Sequence, residues 1–274
     1  MISNIADSLR DGEVWIVGSD PTLDGYPDDF LSDKIAITLH LAYLKFPLAT
    51  YTYLSEYDRA QYLLEASKEY HTAQILSSLP HYGKSTKETI NILKDCTSVV
   101  FHKKRNYLPT GIRGEVRQGY TTWKVKRTIE RKSTVWGGHG SCLHTCIYAA
   151  LFLGAKKIHV IGAGHSLVPG TSQDHFKAAD DIHQNMRVGD TFFDAKIVYP
   201  VIMQTIALKE ACEANGIPFY WHARYTPTMD SYVTVSDDKL EELRRNSRRS
   251  IPIVKKLYRF LWKRPITYLF HSWR

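Results

Sequence analysis

Cysteine is scarce in this chain of 274 residues, which has four cysteines and no C-x-x-C pair. Cys142 and Cys146 stand in an apolar stretch at a spacing that suits small buried residues on one face of a helix. The cysteines therefore argue against a disulfide framework and against a structural zinc site.

Long hydrophobic runs are absent as well. The longest apolar run, 146–154, is too short to span a bilayer, and residues 1–13 are polar and of mixed charge, unlike a secretory signal. We therefore expect a cytoplasmic protein without a transmembrane helix.

Acidic residues are missing from the end of the sequence. Residues 244–274 carry ten Lys or Arg and no Asp or Glu, out of 36 basic and 28 acidic residues in all. Apolar residues recur at helical spacing among these cations, which is typical of a helix lying on anionic lipid, although an ordinary C-terminal helix packed on the body is the alternative. We expect segment 250–274 to bind an anionic membrane surface, on the inner face of the plasma membrane. Charge confined to one end segment argues against nucleic-acid binding.

Short apolar runs alternate with helical patterns, which predicts a doubly wound, mainly parallel, Rossmann-like α/β sheet with a C-terminal amphipathic helix. The predicted strands are 14–17, 34–39, 49–54, 73–76, 97–101, 156–161 and 217–221. The predicted helices are 58–69, 85–94, 141–153 and 196–215. Residues 1–243 are predicted to form the catalytic domain and 244–274 a membrane-associating tail. Within the domain, 102–135 is predicted to be a basic insertion and 163–195 a candidate lid.

The glycine patterns of dinucleotide-binding folds and P-loops are absent. Instead, the turn Gly18-Ser19-Asp20-Pro21-Thr22 follows the first predicted strand, at the strand end where parallel sheets bind ligands. Gly18 allows close approach of the backbone to a ligand, and Ser19 and Thr22 can donate hydroxyls to phosphate oxygens. A plain turn capped by Asp20 or Thr22 is the alternative.

A second glycine-rich turn precedes the predicted helix 141–153. It consists of Gly138, His139, Gly140, Ser141 and Cys142, with Ser141 at the predicted N-cap. Exposed backbone N–H groups and the positive helix end attract anions. A flexible hinge with an ordinary serine cap is the alternative.

Histidines concentrate in the loop after the strand 156–161. His165 follows Gly162 and Gly164 at the strand end, and His175 and His183 lie further along with several Asp residues. An imidazole beside a carboxylate suits a general base near neutral pH. A polar surface loop is the alternative.

Carboxylates suited to a metal are few. Glu56 and Asp58 follow Ser55 after the third predicted strand, and such a pair is a weak candidate for binding Mg²⁺. Asp58 can equally cap the next helix.

Four stretches of the sequence together resemble glycosyltransferase family 42, the bacterial CMP-sialic-acid sialyltransferases, and the uncharacterised relatives of that family. They are Ile16–Leu23, Ile37–His40, Gly140–Gly162 and Leu208–Tyr220. The basic C-terminal segment is similar too, since these transferases associate with the inner membrane in that way.

The resemblance implies a GT-A-like α/β domain with a lid, which uses a nucleotide-activated sugar and requires no metal. It implies that Gly18, Ser19, Thr22 and His40 line the nucleotide and that Ser141 approaches the phosphate or the sugar.

The sequence departs from the catalytic set of the family. Gly164 stands where the family has Asp, Ser166 and Ser172 stand where it has two Tyr, and Tyr199 stands where it has the His base. The base is then expected among the histidines of the loop, with His183 and His175 ahead of His165.

The prediction is therefore a glycosyltransferase that moves a sugar from a nucleotide donor, CMP-activated by resemblance, to a surface glycan or lipid-linked acceptor, as in lipopolysaccharide biosynthesis. A metal-dependent nucleotide pyrophosphokinase or phosphotransferase and a non-catalytic nucleic-acid or membrane binding module stay open, as does assembly into a homo-oligomer. The predicted donor-binding residues are Gly18, Ser19, Asp20, Thr22, His40, Ser55, Gly138, His139, Gly140, Ser141, Cys142, Gly162, Gly164, Ser166 and Tyr199.

Overall fold

The computed structural model describes residues 12–54, 74–78, 99–104, 118–133, 135–136, 141–165, 167–169, 171 and 195–249. The strands within these ranges are β1 Glu13–Val17, β2 Ile35–Leu39, β3 Tyr51–Leu54, β4 Gln74–Ser78, β5 Val99–Lys104, β6 Val135–Trp136, β7 Lys157–Ile161 and β8 Phe219–Trp221. They form one sheet in the order β6-β5-β4-β3-β2-β1-β7-β8, and every neighbouring pair is parallel. This confirms the predicted α/β class with a Rossmann-like parallel sheet.

Helices cover one face of the sheet. The α-helices of the described ranges are α1 Gln118–Ile129, α2 Cys142–Leu153, α3 Ala195–Ala214 and α4 Asp237–Arg249. Helix α2 packs on β1 and β2 and contacts α1 and α3, which also pack on each other. Every residue from Leu143 to Leu153 is buried, as expected of a helix enclosed between a sheet and other helices.

Strand β1 is buried on both faces of the sheet. Its successive side chains point to opposite sides, and each side is covered by a core. Val14 and Ile16 join the core on the side of α2. Trp15 and Val17 join a second core on the other side, which is covered by the 3₁₀ helices Pro21–Gly25 and His40–Leu44 and the residues around them. The first strand of the sequence therefore lies between two cores.

The seven predicted strands are confirmed with shifted ends, but the predicted insertion 102–135 needs correction. Residues 118–136 contain α1 and the edge strand β6, which continue the alternation of helix and strand. The buried face of α1 consists of Thr121, Lys124, Val125 and Thr128 rather than of large apolar residues. The ordinary hydrophobic signal of a packed helix is therefore missing from the sequence.

Helix α4 spans Asp237–Arg249 and thus crosses the predicted boundary between the domain, 1–243, and the tail, 244–274. Its residues Leu240 and Leu243 pack against Val198 and Ile202 of α3. Residues 250–274 and the predicted helices 58–69 and 85–94 lie outside the described residues. None of the described helices combines the length and the apolar character needed to cross a membrane.

A layered aromatic stack covers the second face of the sheet near β8. The ring of Trp15 stacks on His159 at 4.1 Å between centroids, and Nδ1 of His159 lies 2.9 Å from Nε2 of the coplanar His222. Tyr220 and Tyr232 form the next layer, with Tyr220 stacked on His159 and Tyr232 against His222. The strand register puts Trp15, His159 and Tyr220 side by side on β1, β7 and β8.

Burial lowers the pKa of His159 to about 4, although the nearby Glu13 carboxylate raises it in part, and burial likewise lowers the pKa of His222 to about 4. Both imidazoles are therefore neutral in the native protein above that pH. In the unfolded chain they take up protons below about pH 6.5.

We expect the free energy of unfolding to fall as the pH is lowered from about 6.5 to about 4, because the unfolded chain binds more protons in this window. His222→Gln should make this fall less steep. Urea unfolding at pH 7, 6, 5 and 4.5 measures both curves. Equal stability of the unmodified protein at pH 7 and pH 4.5 would contradict the prediction.

Candidate functional site

The carboxyl ends of the neighbouring strands β2, β1 and β7 lie side by side along one edge of the sheet. The strand order reverses between β1 and β7, and open α/β sheets bind ligands in the crevice at such a point. Val17, the last residue of β1, is aligned with Thr38 of β2 and with Ile161 of β7. The loops that contain Ser19, His40 and Ala163 therefore begin at the same edge of the sheet.

Asp20 ties the loop after β1 to the loop after β7. One carboxylate oxygen accepts hydrogen bonds from the backbone N–H of Thr22, at 2.9 Å, and from the Thr22 hydroxyl. The other oxygen accepts from the backbone N–H of Gly164. The backbone N–H of Asp20 also donates to the carbonyl of Gly162 at 3.0 Å. Asp20, predicted as a donor-binding residue, thus directs both of its oxygens toward the protein.

The glycines of these loops are required by close packing of backbone on backbone. A Cβ placed on Gly18 would lie 2.1 Å from the carbonyl oxygen of Gly162. Gly162 has a φ of +61°, and a Cβ there would meet Leu23 at 2.8 Å. A Cβ on Gly164 would meet Thr171 at 2.8 Å. Contact between these glycines and a ligand stays a prediction. The close approach of neighbouring protein atoms is by itself sufficient to require glycine at these positions.

The N-terminus of α2 lies at the same edge. Ser141 is its N-cap, and the Ser141 hydroxyl accepts from the backbone N–H of Leu143 at 3.2 Å. His40, just after β2, places its Nε2 atom 2.9 Å from Sγ of Cys142, the first residue of α2. Residues 18–22 and the start of α2 therefore share one edge of the sheet, as the sequence predicted.

The electrostatics of this edge combine one buried carboxyl group with the positive end of a helix. Burial raises the pKa of Asp20, against the hydrogen bonds from Gly164 and Thr22 and the charge of Arg224. The first turn of α2 contains no acidic residue. The positive end of the α2 dipole thus lies at an edge where the side chains of Ser19 and Ser141 are partly exposed, an arrangement that favours a negatively charged group.

His165 lies just beyond the end of β7 and is partly buried. Its Nε2 atom is buried and has no hydrogen-bond partner among the described residues, and its ring meets the edge of Trp221. Burial lowers its pKa to about 4, so the imidazole is neutral at pH 7. A base with so low a pKa is a weak proton acceptor at neutral pH.

Tyr199 lies on α3, where it packs against the apolar cluster that joins α3 to Leu243 of α4. Several predicted site residues lie outside the described residues, namely Ser55, Glu56, Asp58, Gly138, His139, Gly140, Ser166, His175 and His183. Within the described ranges, no group of three or more His, Cys, Asp or Glu residues is arranged to hold a metal ion.

Two buried side chains that support the site were not predicted. The indole N–H of Trp221 donates to the carbonyl of Ala163 at 2.9 Å and fixes the loop after β7. His144 lies in the second half of the first turn of α2, with Nε2 at 3.0 Å from the Thr205 hydroxyl of α3. Neither contact has a local sequence signal, since the partners are far apart along the chain.

One solved structure is distantly similar to this chain. It is the MAf glycosyltransferase from Magnetospirillum magneticum AMB-1, with 13% identity and a TM-score of 0.44, over 94% of this chain and 41% of that chain. This chain thus spans less than half the length of that protein. No family model and no curated protein match the sequence.

Proposed function

We propose that the protein is a glycosyltransferase that moves a sugar from a nucleotide-activated donor to a hydroxyl of a surface glycan or a lipid-linked acceptor. Ser19, His40 and the N-terminus of α2 converge beyond the carboxyl ends of β1 and β2, and this convergence supports the proposal. The motif resemblance favours a CMP-sugar as the donor.

Sugar transfer releases the nucleotide, and negative charge develops on its phosphate. Hydrogen-bond donors aimed at this charge accelerate the reaction. The positive end of the α2 dipole favours such a charge, and Ser19 and the N-cap Ser141 lie at the same edge. The site thus binds the phosphate and stabilises it as it leaves, without requiring a metal ion.

The acceptor hydroxyl must lose a proton during transfer. His175 and His183 are the proposed bases, because the pKa of His165 at about 4 makes that residue a weak one. The proposal includes binding of an anionic membrane surface through residues 250–274, which would hold the site near a lipid-linked acceptor.

The phosphate site can be tested by one pair of variants. Ser141→Asp and Ser141→Asn both retain an N-cap side chain, so α2 should keep its stability in each. Only the aspartate puts a negative charge where the phosphate is proposed to bind. We expect Ser141→Asp to weaken binding of the preferred nucleotide at least tenfold, about 1.4 kcal/mol, and Ser141→Asn to weaken it much less.

The preferred nucleotide is first identified by thermal shift against CMP, UDP, GDP, ADP and their sugar conjugates, since a ligand of the native state raises the melting temperature. Calorimetric titration of the two variants then gives the affinities. The uncharged nucleoside should bind both variants alike. Equal nucleotide affinity of Ser141→Asp and Ser141→Asn would place the phosphate elsewhere.

A further inference from the structure

His40 and Cys142 form an imidazole–thiol pair at the start of α2. The Nε2 atom of His40 lies 2.9 Å from Sγ of Cys142, although the residues are 102 positions apart. His40 is 8% exposed, whereas Cys142 is partly exposed. The imidazole is therefore held behind a thiol that solvent can reach.

The position of His40 is fixed by its surroundings. Its φ of +49° is unusual for a residue other than glycine, and such conformations persist only where neighbouring structure holds them. The residue directly follows β2, and its ring meets the edge of Tyr53 from β3 at 6.2 Å between centroids. The strand end thus presents the imidazole to Cys142 rather than to solvent.

The position of Cys142 at the start of α2 also favours the thiolate form of its side chain. Cys142 is the first residue of α2, a helix of 12 residues. The positive end of the helix dipole stabilises a negative charge there, and an adjacent imidazolium does the same. Cys146 and Cys212 are buried, so they lack the access to reagents that Cys142 has.

We propose that Cys142 is a nucleophilic thiolate and a covalent modification site for small soft electrophiles, with His40 as its proton acceptor. The Sγ proton passes to Nε2 of His40, and the sulfur electron pair then forms a bond to the electrophilic carbon. The leaving group departs with the electrons of its own bond to that carbon, and the proton is released from His40 to solvent. This reactivity belongs to the pair itself and does not depend on which donor the site uses.

Iodoacetamide is a suitable probe, because its alkylation rate follows the thiolate fraction. The full chain is labelled for short times between pH 5.5 and 9, and each cysteine is followed by peptide mass spectrometry. We expect the rate at Cys142 to reach half its maximum below about pH 7, against about 8.5 for an ordinary cysteine. At pH 6 it should exceed the rate of glutathione about tenfold, after allowance for the weaker nucleophilicity of a more acidic thiol.

His40→Asn provides the matched variant. Asparagine tolerates positive φ but cannot take the thiol proton, so the backbone should be kept while the base is lost. We expect the half-maximal pH to move above about 8 and the rate at pH 6 to fall about tenfold. Cys142→Ser should abolish the label on this peptide.

A half-maximal pH near 8.5 in the unmodified chain would overturn the proposal, as would an unchanged profile in a folded His40→Asn protein. If circular dichroism shows that His40→Asn does not fold, the profile of the unmodified chain decides alone. Because labelling is read without a nucleotide, its outcome is separate from that of the Ser141 variants.

Discussion

Gly18→Ala should destabilise the protein by about 3 kcal/mol, which corresponds to a melting temperature roughly 6–12 °C lower. The new Cβ would lie 2.1 Å from the carbonyl oxygen and 2.8 Å from the carbonyl carbon of Gly162. Both are backbone atoms at the end of a buried strand, so no side-chain rotation relieves the clash. The ends of β1 and β7 must move apart.

That movement would break specific contacts. The backbone N–H of Gly18 donates to the carbonyl of Ile161 at 2.8 Å, and the N–H of Asp20 donates to Gly162 at 3.0 Å. Loss of either bond leaves a buried polar group unsatisfied, which costs about 1–3 kcal/mol. Because these loops form the proposed phosphate site, the thermal shift produced by nucleotide should disappear as well.

Gly25→Ala is the control for this substitution. A Cβ at Gly25 meets nothing within 4 Å, and the residue lies at the end of the 3₁₀ helix just beyond the same turn. Its stability should stay within about 0.5 kcal/mol of the unmodified protein. Urea unfolding of both variants decides the matter, and equal stability of Gly18→Ala and Gly25→Ala would show that the two loops do not pack as described.

The fold was largely predictable because its signals are local. β1 and β7 are short apolar runs that end at glycine, and α2 combines a serine cap with a glycine at its C-terminal end, where Gly154 has a φ of +104°. Helix α1 was missed because threonine and the stem of Lys124 fill its buried face. Tertiary packing on α2 and α3, rather than a pattern of large apolar residues, holds α1 in place.

The sequence predicted which residues gather at this edge of the sheet but not their contacts, and ligand binding there stays a prediction. The rule that ligands bind beyond strand ends led to Ser19, His40 and Ser141, and the structure puts all three at one edge. The partners of Asp20 and His40 could not be inferred, since Gly164 is 144 positions from Asp20 and Cys142 is 102 positions from His40. An aspartate in a turn looks the same in the sequence whether its oxygens bind a ligand or the backbone.

Asp20→Asn should therefore cost about 2–3 kcal/mol at pH 7, even though it keeps the size of the side chain. The carboxylate accepts from three donors with two oxygens, whereas an amide offers one oxygen and turns an NH₂ group toward a donor. In either orientation of the asparagine amide, its NH₂ group faces a backbone N–H, that of Gly164 or that of Thr22. Asp29→Asn, at an exposed position of the following loop, makes the same charge change and should stay within about 0.5 kcal/mol.

The pH dependence of the stability lost in Asp20→Asn provides a second measurement. Burial raises the pKa of Asp20 above its usual 3.8, so the native protein binds more protons than the unfolded chain as the pH rises from that value. The Asp20 contribution to stability therefore falls through this window, and asparagine has no such titration. The destabilisation by Asp20→Asn should be largest near pH 4 and smaller at pH 7, as measured by urea unfolding at both values. A deficit that grows with pH would mean that the hydrogen bonds from Gly164 and Thr22 outweigh burial, so that the folded protein stabilises the ionised carboxylate.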